Sequence, residues 1–182
     1  MFNPVEAGLG ARMRYTAVVV VVLLASVLAS CGTVYTIIPH ETVSYASAQA
    51  PGTIVIKTSQ RRLYLVKGGG KAVVYPIGVG EEGRSWTGTS QVSAKREWPD
   101  WTPPDEMRAR KPGLPVHMAG GPDNPMGARA LYLGSSLYRI HGTNEPWTVG
   151  TAASSGCIRM YNQDVIELYE QTRIGATVIV QR

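Results

Sequence analysis

A cysteine can act as an acyl-transfer nucleophile only as its thiolate, so it needs a base or a positive field close by. Cys157 follows His141 by sixteen residues, and Gly142, Gly150 and Gly156 between them let the chain fold back. Gly156, directly before Cys157, permits the close backbone approach that an oxyanion site of N–H groups requires. His40 and His117 fall in segments less suited to partner the thiol. Taken alone, a single thiol is more often a buried small hydrophobe than a nucleophile. Arg159 has two readings, a planar guanidinium for a substrate carboxylate or a brace paired with a carboxylate such as Asp164, and the brace is preferred. Ser154 can hydrogen-bond substrate or His141, or simply form a turn.

These residues need a scaffold, and the pattern around them predicts a single mostly-β domain. Residues 53–58, 63–66 and 72–79 are rich in β-branched and aromatic residues, with a Gly68-Gly69-Gly70 turn, and read as an antiparallel meander. Between Gly80 and Arg129 the pattern breaks up, with Trp86, Trp98 and Trp101 among prolines, and an irregular segment is expected whose tryptophans either pack the loop down or contact substrate. Residues 130–133 and 138–141 are further strands, the second ending on His141. Asn162 is expected to cap a helix over 163–171, with Asp164 in its first turn and Val165, Ile166, Leu168 and Tyr169 on its apolar side. Residues 176–180 form a last strand.

The chain has 182 residues, enough for one domain with a core. Twenty Gly and twelve Pro suit a loop-rich β domain rather than a helical bundle. The net charge of +5 is spread out, without basic runs interleaved with aromatics, which argues against nucleic acid and fits approach to an anionic polymer. Arg12 and Arg14 precede an apolar run from Ala17 to Ala29, shorter than the about 20 residues of a membrane span. This reads as an export signal over residues 1–31, followed by a linker over 32–51 and a catalytic domain over 52–182. Leu28-Ala29-Ser30-Cys31 resembles a lipobox, making Cys31 a lipidation site and a membrane tether; Ala46-Ser47-Ala48 is the rival cleavage site. Lipidation of Cys31 would leave Cys157 without a disulfide partner.

His141-Gly142-Thr143-Asn144 followed by Ser154-Ser155-Gly156-Cys157-Ile158-Arg159-Met160 resembles the signature of the L,D-transpeptidase family, also called YkuD-type. Asn162, Asp164 and Leu168-Tyr169 extend the match, as do Asn124 to Leu133 upstream and the 54–65 hairpin, so the resemblance covers about Gly52 to Val180. It implies a sandwich or barrel-like β fold with one or two short helices, in an exported protein of the periplasm or cell envelope. It implies Cys157 as nucleophile, His141 as base and then acid, and the Gly142 carbonyl as the group orienting the imidazole. The N–H groups around Gly156 and Cys157 would hold the oxyanion. Ser155 departs from relatives that carry His or a basic residue there, so different donor contacts are expected at that position. The substrates implied are peptidoglycan stem peptides: the donor loses D-Ala, and the acyl group passes to a stem amine, making a 3–3 cross-link, or to an anchored envelope protein. Acylation by carbapenems is also implied. An L,D-carboxypeptidase or amidase using water is the alternative within the chemistry, and a non-catalytic wall-binding module the alternative outside it. No cofactor is implied, and the Cys and His residues form no metal-ligand set.

Overall fold

Short apolar-rich segments separated by tight glycine turns build most of the domain. The computed structural model describes residues 40–182. β1 (Thr42–Ser44) is an edge strand, and β2 (Ile54–Lys57), β3 (Arg62–Gly68) and β4 (Lys71–Pro76) form the expected meander. β5 (Val79–Gly80) and β6 (Gly88–Glu97) follow, then the short helix α1 (Asp105–Arg110). β7 (Arg129–Leu133) and β8 (Arg139–His141) form an antiparallel pair. β9 (Ala152–Ser154), β10 (Ile158–Arg159), helix α2 (Asn162–Gln171) and β11 (Thr177–Gln181) complete the chain. Nine strands run in the order β1-β4-β3-β2-β11-β6-β7-β8-β10, and β5 pairs separately with β9. The fold is mostly β with two helices.

The core explains this order. Ile54 and Ile56, Leu63 and Leu65, Leu131 and Leu133, and Val178 and Val180 are spaced two apart on their strands, and all are buried in one cluster. Ile140, Ile158, Met160, Val165 and Leu168 carry the cluster to the His141–Cys157 end. Each such side chain contributes about 1.5–3 kcal/mol relative to exposure.

Three expectations are corrected. The first is the irregular segment after Gly80, which contains the ten-residue strand β6. β6 pairs with β11 through Gly88 to Gln91 and with β7 through Val92 to Glu97, shifting register between Val92 and Ala94. This bulge lets one strand serve both halves of the sheet. Val92 is the strand's one fully buried residue, so its polar sequence carries no alternating apolar signal. Beyond it, the irregular stretch is pinned by a bridge between Trp101 and Met118 and by Asn124 Nδ2, which donates to the Met118 and Ala119 carbonyls at 3.1 and 2.9 Å.

The second correction concerns the segment read as linker. Thr42 to Ser44 pair antiparallel with Lys71 to Val73 of β4. Tyr45 stacks on Tyr64 at 4.6 Å between ring centroids, and Lys57 Nζ lies 5.3 and 5.4 Å from the two rings. His40 lies 3.3 Å from Asp164 and 3.1 Å from Glu167, both buried on α2.

The third is Asn162. It opens α2 but does not cap it; Tyr161 occupies the cap position without a side-chain bond. Asn162 Oδ1 instead accepts from the N–H groups of Ala128 (3.0 Å) and Thr143 (3.2 Å), while Nδ2 donates to the Thr143 carbonyl (3.0 Å).

Candidate active site

β8 and β10 run parallel, with Ile158 opposite Ile140 and Arg159 opposite His141, and the Met160 N–H donates to the His141 carbonyl at 2.8 Å. His141 therefore ends one strand while Cys157 immediately precedes its neighbour. The geometry of adjacent strands, rather than a flexible loop, brings the two positions together.

His141 is buried, 5% exposed, and its Nδ1 lies 2.6 Å from the Gly142 carbonyl. That acceptor requires the proton on Nδ1 in the neutral ring, which leaves Nε2 free to accept one. A Cβ on Gly142 would come within 2.1 Å of Asn162 Oδ1, and one on Gly127 within 2.3 Å. Two glycines thus admit the Asn162 clamp, which fixes the backbone holding the imidazole.

The nucleophile turn is tied in a similar way. Ser154 Oγ donates to the Cys157 carbonyl at 2.6 Å and accepts from the Gly156 N–H at 3.1 Å. The Gly156 N–H, expected to face an oxyanion, is therefore engaged inside the turn, because the Ser154 hydroxyl sits two residues before it. No acceptor faces the Cys157 N–H among the described residues. Gly156 has φ of +116°, and a Cβ there would lie 2.6 Å from Tyr138 Cε1. Tyr138 stacks on Trp86 at 4.8 Å and 11°, and Trp86 Nε1 donates to the Gly156 carbonyl at 3.3 Å. This aromatic pair wedges the turn in place.

Cys157 Sγ contacts the Leu137 carbonyl at 3.7 Å and opens on a cleft of about 680 Å³. Ser155 is exposed at the same cleft. Arg159 does not pair with Asp164: its Nη1 reaches Glu145 at 3.0 Å and Thr148 Oγ1 at 3.2 Å. It braces the 145–148 turn against β10, while Asp164 is taken by His40. Cys31 lies outside the described residues.

Electrostatics favour a neutral resting pair. Burial pushes the Cys157 thiol above its ordinary 9.0, against the pull of the Arg139 backbone N–H and the Arg139 and Arg159 charges. Burial, then the Arg159 charge, lowers His141 to about 4, against the Gly142 and Met126 carbonyls. Both shifts disfavour a thiolate–imidazolium pair, so the proton must move as the sulfur attacks. Tyr138 and the cleft residue Arg139 are not singled out by the sequence, and Trp86 and Asn162 are singled out without their roles as wedge and clamp. Tyr138 and Arg139 had one signal, their place on the strand that ends in His141.

The family model of the L,D-transpeptidase catalytic domain, YkuD, matches residues 51–180. The Escherichia coli K12 protein named Probable L,D-transpeptidase YbiS is 42% identical over 134 residues, 69% of this chain and 43% of that protein. The chain thus spans less than half the length of this curated relative. A solved structure from Brucella melitensis, described as a probable carnitine operon oxidoreductase, is 44% identical, covering 78% of this chain and 92% of that one with a TM-score of 0.52. An L,D-transpeptidase structure from Mycobacterium tuberculosis shares the fold, with a TM-score of 0.55 and 20% identity over 71% of this chain and 57% of that one. With its family signature on two adjacent parallel strands at the mouth of a cleft, the chain belongs to the L,D-transpeptidase (YkuD) catalytic domain family.

Proposed function

We propose that the protein is a peptidoglycan L,D-transpeptidase in which Cys157 is the nucleophile and His141 the proton carrier. The observation that carries this reading is the buried His141, held at Nδ1 by the Gly142 carbonyl, on the strand beside a Cys157 that opens on the cleft. The thiol proton passes to His141 Nε2 as the sulfur attacks the diamino acid's own carbonyl carbon, in its amide bond to the terminal D-Ala of a tetrapeptide stem. The Cys157 N–H, which has no acceptor among the described residues, is the backbone donor for the developing oxyanion. Collapse breaks the C–N bond, His141 returns the proton to the departing D-Ala amine, and a thioester remains. An acceptor amine then attacks and gives its proton to His141, and the C–S bond breaks as His141 returns that proton to the Cys157 sulfur. The acceptor is a second stem or an anchored envelope protein. Carbapenem acylation follows from the same attack.

The protein is further proposed to be exported to the periplasm or cell envelope and tethered through Cys31. Supporting this over cleavage after Ala48 is the folded segment 40–45, since that cleavage would remove β1 and the His40 contacts. Mass spectrometry of products from a defined tetrapeptide donor and an amine acceptor tests the reaction. The wild type should yield D-Ala and cross-linked product, and Cys157→Ala neither. Product formation by Cys157→Ala would refute the mechanism, and hydrolysis without cross-linking would move the assignment to a carboxypeptidase.

A further inference from the structure

The cleft at Cys157 carries three guanidinium groups, from Arg84, Arg110 and Arg139. Two are neutralised by the protein itself. Arg84 lies 2.7 Å from Glu81 and 3.4 Å from Glu106, and Arg110 lies 3.7 and 3.8 Å from the same two carboxylates. The cleft carboxylate Asp100 faces His117 at 3.8 Å. Arg139 differs, because among the described residues no carboxylate forms an ion pair with it.

Arg139 is nevertheless oriented. Its Nη1 donates to the Leu137 carbonyl, and its guanidinium lies over the Tyr132 ring, 4.7 Å from the centroid. A carbonyl and an aromatic face hold a guanidinium in position without cancelling its charge. Leu137 and Tyr132 line the cleft as well, so this support is built into the cleft wall. Arg139 also precedes Ile140, the register partner of Ile158, which sets it beside Cys157. A partly buried cation that is fixed, uncompensated and next to a nucleophile is arranged for an anion that arrives with the substrate.

We infer that Arg139 is a specificity-determining residue that binds a carboxylate of the acyl donor. The inference rests on the transpeptidase reading for the identity of the donor. A tetrapeptide stem offers two sources of this chemistry, the terminal D-Ala carboxylate and the free carboxylate of the diamino acid. The planar fork of Arg139 suits either by bidentate contact. Donor choice then depends on charge as well as on the acylated bond.

Two measurements test it on the purified protein. The first compares alkylation of Cys157 by iodoacetate and by neutral iodoacetamide, which involves no peptide substrate. Arg139→Gln should lower the iodoacetate-to-iodoacetamide rate ratio by roughly tenfold, the effect of removing one nearby charge from a partly desolvated site. Arg139→Lys should keep most of the ratio. The ratio cancels any general change in thiol reactivity or folding yield. An unchanged ratio in Arg139→Gln would overturn the inference.

The second uses three donors: the free tetrapeptide stem, the same stem amidated at the terminal D-Ala, and the stem amidated at the diamino acid carboxylate. One amidation should reduce wild-type kcat/KM roughly ten- to hundredfold, as for loss of a charge-assisted hydrogen bond. On that donor Arg139→Gln should cost nothing further, which identifies the carboxylate bound. An equal loss in Arg139→Gln on all three donors would also overturn the inference. A wild type that turns over no stem donor would instead refute the transpeptidase reading, and the anion site would then stand or fall on the alkylation ratio.

Discussion

Replacing Asn162 by Ala should lower the stability of the folded domain by several kcal/mol, roughly in proportion to the bonds lost. The side chain makes three hydrogen bonds, to the Ala128 N–H, the Thr143 N–H and the Thr143 carbonyl, at 3.0, 3.2 and 3.0 Å. Alanine leaves all three backbone groups unpaired in a part-buried position, at about 1 kcal/mol each. The expected loss is therefore about 3 kcal/mol, or roughly 6–12 °C in melting temperature for a domain of this size. Asn162→Asp keeps the acceptor for both N–H groups and loses only the donor to Thr143, so it should melt between wild type and Asn162→Ala. Thermal unfolding followed by circular dichroism measures both variants. A shift below about 2 °C for Asn162→Ala, or equal losses in the two variants, would refute the clamp as described.

Two further predictions concern the imidazole that the clamp serves and the turn that carries the nucleophile. His141 is held near 4 in the fold against 6.5 when free, so the unfolded chain takes up the proton first as pH falls. Stability should be unaffected by this group above pH 6.5 and decline towards pH 4, by about 3 kcal/mol in all. Denaturant titrations should show a shallower acid limb for His141→Gln; parallel limbs would contradict the burial argument. Asp164, raised to about 6 by burial, slopes the other way in both proteins and cancels in the difference. Gly156→Ala should cost more than 2 kcal/mol, because a positive φ is compounded by a Cβ 2.6 Å from the Tyr138 ring. Gly69→Ala, also at positive φ but with nothing within 4 Å, should cost only about 1 kcal/mol, and equal losses in chemical denaturation would remove the wedge from the account.

What could be read from the chain divides by the range of the interaction. The meander, the strand ending on His141 and the apolar side of α2 rest on local periodicity, and they lie where expected. β6 escaped because a strand that buries only Val92 and hands itself from β11 to β7 has no alternation to show. Asn162 has the residue type of a helix cap, yet its partners lie 19 and 34 positions away, where local preference carries no information. Arg159 needed a carboxylate, and proximity in sequence favoured Asp164; the fold supplies Glu145 instead, while Asp164 faces His40. The His141–Cys157 motif was legible as chemistry, whereas the orientation of Ser154, which turns the Gly156 N–H inward, depends on a hydroxyl rotamer.

β11 has a consequence for the order in which the protein can acquire its structure. It lies between β2, whose Ile54 is the register partner of Val178 across 124 positions of sequence, and β6, so it joins the two halves of the nine-stranded sheet. During synthesis β2 to β4 can pair soon after they emerge, and β6 to β10 can do so later, but neither half closes on the other until the last-made strand arrives. The His141–Cys157 pair is therefore translated before the sheet that supports it is complete. A nascent chain stalled short of Thr177 would carry every reactive group without the strand that joins the two halves of the sheet.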